Sequence, residues 1–219
     1  MKRSSNAPPL PLIVYGASSA LGTFAIKLAR QANIHPIIAI GGSSSAYVNS
    51  LLDSVVGDAL IDYHGGAEKM IADVKSALGT LEAHHALDAI SENGSWVAIS
   101  QMLSGGEVSV VQGSEKYEES EIPANIRISY SFVGSAHLGA FRQNMPKQPE
   151  DPESVKADVD FAYVLMRYVA RSLASREFEG HPYEVIPGGL SGVELGLQKL
   201  QRGEAKGVKY VYRMAETAF

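Results

Sequence analysis

The sequence has no cysteine among its 219 residues, which excludes a disulfide framework, a thiolate metal site and a cysteine nucleophile. It has no excess of positive charge either. Its 19 basic and 24 acidic residues give a formal net charge of −5, the wrong balance for a general nucleic-acid binder. No apolar run approaches the roughly 20 residues that a membrane span requires. The start, Met1 to Pro9, carries Lys2 and Arg3 but no apolar segment before its prolines, so it does not read as a secretory signal. The expected compartment is the cytosol. His35, His64, His84, His85, His137 and His181 form no H-E-x-x-H or comparable ligand set, and no metal is expected. Neither Ser18 nor Ser19 sits in a G-x-S-x-G elbow, which argues against a hydrolase nucleophile.

What is present is an ordinary globular composition, 45 % hydrophobic and 20 % charged, in a chain long enough to bury roughly 70 % of its unfolded surface. Residues 1–11 are a polar, proline-containing lead-in. Short apolar runs then alternate with helical patterns. Leu12 to Tyr15 reads as a strand, Leu21 to Ala32 as a helix, Ile37 to Ile40 as a strand and Ala46 to Val55 as a helix. Ala59 to Ile61, Ala86 to Ile90, Val108 to Val111 and Ile126 to Val133 read as further strands, with helices over Ala67–Leu78 and Trp96–Leu103. Continuously apolar strands between amphipathic helices imply a parallel sheet covered on both faces. The expected fold is therefore α/β, a doubly wound (Rossmann) parallel sheet of about six strands spanning 12–143.

A proline-rich connection, Asn144 to Pro152, leads into the remainder, 144–219. Asp151 reads as an N-cap with Pro152 at the first helical position. The helix it opens carries Val155, Val159, Ala162, Met166, Val169 and Leu173 as its apolar stripe, most simply a packing face. A strand at Tyr183–Ile186, a helix at Val193–Gln201 and a strand at Val208–Tyr212 complete a helix–strand–helix–strand extension. The acidic stretch Glu115 to Glu121 reads as a solvated loop.

The first strand–turn–helix is the most informative segment. In Gly16-Ala17-Ser18-Ser19-Ala20-Leu21-Gly22, tiny residues let a phosphate approach the backbone, and the helix start offers free N–H groups and a positive dipole end. Small residues at such a turn also serve tight packing of helix on strand, so nucleotide binding and a structural turn are both open on spacing alone. NAD enzymes place an acid at the end of the second strand to bind the ribose 2′-hydroxyl. Here Gly41-Gly42-Ser43-Ser44-Ser45 contains no acid, and also no Arg or Lys. Its hydroxyls and amides suit a 2′-phosphate, which leans towards NADPH. His137, just past the sixth strand, reads as a proton donor or a solvated loop residue, and Tyr130 within that strand as a core residue or a weaker catalytic candidate.

The stretches Val14 to Gly22, Gly57-Asp58 with Ile61-Asp62-Tyr63, Ala86 to Ser91, and Pro182 to Arg213 together resemble the nucleotide-binding half of medium-chain dehydrogenase/reductases. The likeness is to the zinc-free fungal quinone-reductase and trans-acting enoyl-reductase branch, over about residues 12–213. That resemblance implies an NADPH-dependent reduction of an activated double bond or quinone in secondary metabolism. It places the pyrophosphate at Ser18, Ser19, Ala20 and Leu21, in the cofactor-binding turn that Gly16 opens, the 2′-phosphate at Ser43 and Ser44, the adenosine beside Tyr63, and the ribose and nicotinamide along Ile90 and Ser91. Family members begin with a catalytic domain of a hundred or more residues, and the tail from Tyr183 resembles the segments that return to complete it. The chain thus reads as a natural remnant or a truncated chain, whose C-terminal strands lack an obvious sheet to join and invite a homo-oligomer or a partner chain. The alternative use of the same scaffold is non-redox, as an NADPH-binding subunit or sensor, or a cyclase or isomerase acting on a small molecule.

Overall fold

A computed structural model describes residues 2–4, 6–42, 46–113, 116–137 and 152–217, with side chains in the last stretch from Lys156 onward. Strand β1 (Leu12–Tyr15) runs through the middle of the molecule. Its residues alternate between two cores: Ile13 belongs to one hydrophobic cluster and Val14 to the other. Strand β2 (Ile37–Gly41) repeats the pattern and is buried throughout, with Ile38 and Ile40 on one face and Ile37 and Ala39 on the other. A strand covered on both sides must be apolar on both, which is why these runs are continuous.

Strands β3 (Ala59–Asp62), β4 (His85–Asp88), β5 (Gly106–Val110) and β6 (Ile126–Tyr130) complete a six-stranded sheet in the order β3-β2-β1-β4-β5-β6, and all its pairings are parallel. Helices α1 (Ala20–Gln31) and α2 (Ala46–Ser50) contribute Ile26, Ala29 and Val48 to one core. Helices α3 (Ala67–Leu78) and α4 (Ser95–Ser100) contribute Met70, Val74, Leu78, Trp96 and Ile99 to the other. The doubly wound architecture read from the sequence is the one observed.

The helix expected over Trp96–Leu103 stops at Ser100 and the fifth strand at Val110; three further elements end early where a polar side chain takes over the backbone. The helix expected over Ala46–Val55 stops at Ser50. Asp58 Oδ2 accepts from the Asp53 N–H at 3.1 Å, and Asp53 Oδ1 accepts from Val55 N–H at 2.9 Å, starting a separate 3₁₀ turn at Ser54–Val56. The fourth strand ends at Asp88, whose carboxylate gathers the amides that would have continued it. The sixth ends at Tyr130, before a 3₁₀ turn over Val133–Ala136 in which Ser135 Oγ donates to Phe132 O at 2.7 Å. The acidic stretch is also less solvated than expected, since Glu119 accepts from the Trp96 indole at 2.8 Å.

Helix α5 (Pro152–Ala174) crosses to a second, two-stranded parallel sheet made of β7 (Tyr183–Ile186) and β8 (Lys209–Tyr212), joined through α6 (Val193–Gln201). The C-terminal strands, expected to have no sheet, therefore pair with each other. The face of α5 is also rotated from the expected stripe. Val159, Ala162, Leu165, Val169 and Ser172 turn inward, while Met166 and Leu173 are exposed. The cause lies at its end, where Ser172 is buried and its carbonyl accepts from Phe178 N–H at 3.1 Å. Val155 has no described side chain, and the Asp151 cap lies outside the described residues. The second unit docks on α1: Phe178 stacks on Phe24 at 5.8 Å, and Lys27 Nζ donates to the carbonyls of Glu179 and Gly180 at 2.8 and 2.9 Å. Among the described residues no helix is long and apolar enough to cross a membrane.

Candidate functional site

In an open parallel sheet the ligand crevice lies beyond the carboxyl ends of the strands where the strand order reverses. Here that point is between β1 and β4. The turn after β1 is built around two glycines. Gly16 has φ +73°, and a Cβ there would lie 2.6 Å from Ile90 Cγ1. A Cβ on Gly22 would come closer than 3.0 Å to the Gly16 carbonyl oxygen, so the first turn of α1 can rest on the strand end only as glycine. Ser19 caps α1, its Oγ accepting from the Gly22 N–H at 3.0 Å. Thr23 fastens the same turn from below, donating to Ser19 O at 2.7 Å.

This leaves the amides of Ala20 and Leu21 at the open helix start, where an α-helix has no acceptor for them. No acidic residue stands in that first turn to neutralise the dipole, so the turn favours an anion. Ser18 and Ala20 are half-buried around it, and Leu21 and Ile90 flank it as exposed apolar side chains. The residues present fit a dinucleotide: a cradle that a Cβ would fill, free amides and apolar walls.

Asp88 organises the opposite wall and is not apparent as a site residue in the sequence. Fully buried, it accepts from Ile90 N–H at 3.1 Å, Ser91 N–H at 2.7 Å and Ser95 Oγ at 2.5 Å. Ser91 adopts φ +55°, donates its hydroxyl to Asp88 O at 2.9 Å and accepts from Val111 N–H at 2.9 Å. Its hydroxyl is thus spent inside the protein, and what Ser91 contributes is the shape of the loop that carries Ile90. An Asp with serines three and seven residues later was the sequence signal for this knot.

Tyr63 lies at the end of β3, 44 % exposed, with its ring centroid 6.4 Å from that of Tyr15. Burial, followed by the nearby Asp88 carboxylate and Tyr63 phenol, pushes the Tyr15 phenol above its ordinary range. Tyr15 is therefore a neutral hydrogen-bonding group in the wall. Gly16, Ser18, Ser19, Ala20, Leu21, Tyr63, Ile90 and Ser91 are gathered at the ends of β1, β3 and β4. Ser43 and Ser44 lie outside the described residues. Tyr130 sits on β6, three strand spacings or about 14 Å from β1. Its ring packs where a Gly113 Cβ would be, and it lines a cavity of about 460 Å³ with Phe132, Phe161 and Met166. His137 is exposed beyond the following turn. No group of three His, Asp or Glu side chains able to hold a metal occurs among the described residues.

No protein-family model matches the chain. It is 33 % identical over 190 residues to the trans-enoyl reductase fsr4 of Gibberella fujikuroi, covering 86 % of this chain and 50 % of that protein. To the trans-enoyl reductase ACTTS2 of Alternaria alternata it is 26 % identical over 212 residues, covering 93 % and 54 %. The chain spans about half the length of the curated relatives it matches. Among solved structures, the JamJ enoyl reductase in its apo form superposes with a TM-score of 0.65 at 12 % identity, over 94 % of this chain and 55 % of that one. A putative NADPH:quinone reductase from Bacillus thuringiensis superposes with a TM-score of 0.63 at 13 % identity, over 92 % and 54 %. At those identities the likeness is one of fold.

Proposed function

Because the chain belongs to the medium-chain dehydrogenase/reductase superfamily, in its trans-enoyl-reductase-like fungal branch, we propose that it is the nucleotide-binding portion of an enoyl-reductase-type oxidoreductase that takes NADPH. The observation that carries this reading is the glycine-built turn at the β1/β4 switch point, with its free helix amides and no competing acid. The names of the sequence relatives supply the reaction class.

In this reading the amides of Ala20 and Leu21 receive the pyrophosphate, and Ser18 and the Ser19 hydroxyl lie beside it. Ser43 and Ser44 take the 2′-phosphate and Tyr63 the adenosine side. Ile90, held over Gly16 by the Asp88–Ser91 knot, supports the ribose and nicotinamide. Bound NADPH supplies a hydride to the β-carbon of an activated double bond or to a quinone. The protein's part is chiefly to orient the cofactor against the substrate. The balancing proton, to the α-carbon of the enoyl group or to the oxygen of the quinone, comes from water or from a side chain at the β6 end, where Tyr130 and His137 stand. The exposed apolar residues of α5 and α6, Val164 and Leu197 among them, support a further chain on that side, a second copy or a partner, in the cytosol.

Calorimetric titration of the chain with NADPH and with NADH tests this. Tight binding with NADPH preferred is the expected result, and binding of neither overturns it. Binding of NADPH without its oxidation in the presence of enone or quinone would favour the non-redox use of the scaffold.

A further inference from the structure

The loop that follows β4 is strained in its middle and tied down at both ends by one side chain. Ser91, Asn93 and Gly94 have φ of +55°, +55° and +74°. A serine adopts that left-handed conformation only where surrounding contacts over-determine it. Asp88 supplies them. Its Oδ1 accepts from the two consecutive amides that open the loop, Ile90 and Ser91, and its Oδ2 accepts from the Ser95 hydroxyl just past Gly94. Gly94 precedes α4 and makes no side-chain cap bond. The Ser95–Asp88 bond ties that end back to β4.

These ties decide where Ile90 stands. The β1–β4 ladder ends with Ala89 N–H donating to Tyr15 O at 3.1 Å. Ile90 then lies back over the turn, so closely that a Cβ on Gly16 would meet its Cγ1 at 2.6 Å and its Cδ1 at 2.8 Å. Ser91 extends the reach to the next strand. Its buried hydroxyl donates to Asp88 O and accepts from the N–H of Val111, the first residue after β5, both at 2.9 Å. The ends of two neighbouring strands thus meet at Asp88, which is itself fully buried and has no surface to offer a ligand. The turn after β1 is fastened separately, by the Ser19–Gly22 and Thr23–Ser19 bonds.

We infer that Asp88 is a positioning residue for the ribose–nicotinamide half of the cofactor alone; this rests on the NADPH reading above. Asp88 sets Ile90 and, through Ser91, the end of β5, while the turn that meets the pyrophosphate is fixed by its own bonds. The two halves of the cofactor site are therefore held independently.

The test titrates the full chain with NADPH and with adenosine 2′,5′-bisphosphate, which lacks the ribose–nicotinamide half. The wild type is expected to bind NADPH more tightly. Asp88→Ala should weaken NADPH about tenfold or more and leave the bisphosphate within about twofold, the scale of a lost hydrogen-bonded support on one half only. Asp88→Asn, which keeps an oxygen for the two amides, should restore most of the affinity. Ile90→Ala should also weaken NADPH, and the double variant should lose less than the sum, as residues acting through one contact do. Unchanged NADPH affinity in Asp88→Ala, equal weakening of both ligands, or losses that simply add overturns the assignment and leaves the cofactor reading standing. Where Asp88→Ala does not fold, Ser95→Ala decides, since it cuts only the far tie. It should weaken NADPH about threefold or more with the bisphosphate unchanged, and no change in NADPH affinity overturns the inference. NADPH bound by the wild type no more tightly than the bisphosphate overturns it as well. Failure of the wild type to bind NADPH at all overturns the cofactor reading, and the inference with it.

Discussion

The six-stranded sheet and the C-terminal unit are both parallel α/β structure, yet they hold together differently. Strands β1 and β2 bury nearly every side chain between two layers of helices. In β7 and β8, Ile186 is the one fully buried side chain, and α5 and α6 leave Val164, Met166, Leu195, Leu197 and Leu200 exposed. A two-stranded sheet is marginal by itself in water. The second unit is held chiefly by what it places on α1, the Phe178 ring and the carbonyls that receive Lys27. Similar chain chemistry is stable in one place through its own core and in the other by attachment.

The largest expected effect is at the glycine turn of the first region. Gly22→Val forces side-chain atoms into the Gly16 carbonyl and should cost more than about 4 kcal/mol, read as loss of the thermal transition. Phe178→Ala is expected to cost about 3 kcal/mol, but locally. Hydrogen exchange should rise over 183–212 while β1, β2 and β4 keep their protection. Equal loss in both regions would show that they unfold as one unit and would break the comparison.

Smaller effects sharpen it. Asp88→Ala strips the acceptor from two amides and the Ser95 hydroxyl and should cost about 2 kcal/mol in urea unfolding. Asp88→Asn, which keeps an acceptor for the amides, should cost less. The seam itself is expected to be acid-sensitive. Burial first, then Lys209 and Lys27, hold the His181 imidazole below its ordinary value. The unfolded chain therefore binds this proton first as pH falls. The stability tied to a neutral His181 is fully present above about pH 6.5 and is lost as pH drops below that towards the folded value. A His181→Phe variant should show a smaller loss of midpoint denaturant concentration between pH 7 and pH 5. At the bottom of the scale, Met166→Gln, at a side chain 60 % exposed, should change stability by less than about 0.5 kcal/mol. A larger loss would mean that the outer face of α5 is covered.

Much of this was readable in the residues themselves. Ile13-Val14 and Ile37 to Ile40 name buried parallel strands because both of their faces are apolar, and Gly16 to Gly22 names its turn. The phase of α5 was not readable, since Phe161, Tyr163, Val164, Leu165 and Met166 are nearly continuous and admit several apolar stripes. The buried Ser172 and the Tyr168 hydroxyl's bond to Gln31 of α1 go with the one observed. The pairing of β7 with β8 did have a signal, because two short apolar runs around a helix form a βαβ unit.

Lys27 and the carbonyls it holds are separated by 152 and 153 positions in the chain. During synthesis at about 5–20 residues per second, α1 emerges roughly 8–30 s before the segment that covers its outer side. For that interval Phe24, Lys27 and Gln31 face the translation milieu without their eventual partners. The lysine's charge in the middle of that aromatic patch keeps the waiting surface from being a purely oily one.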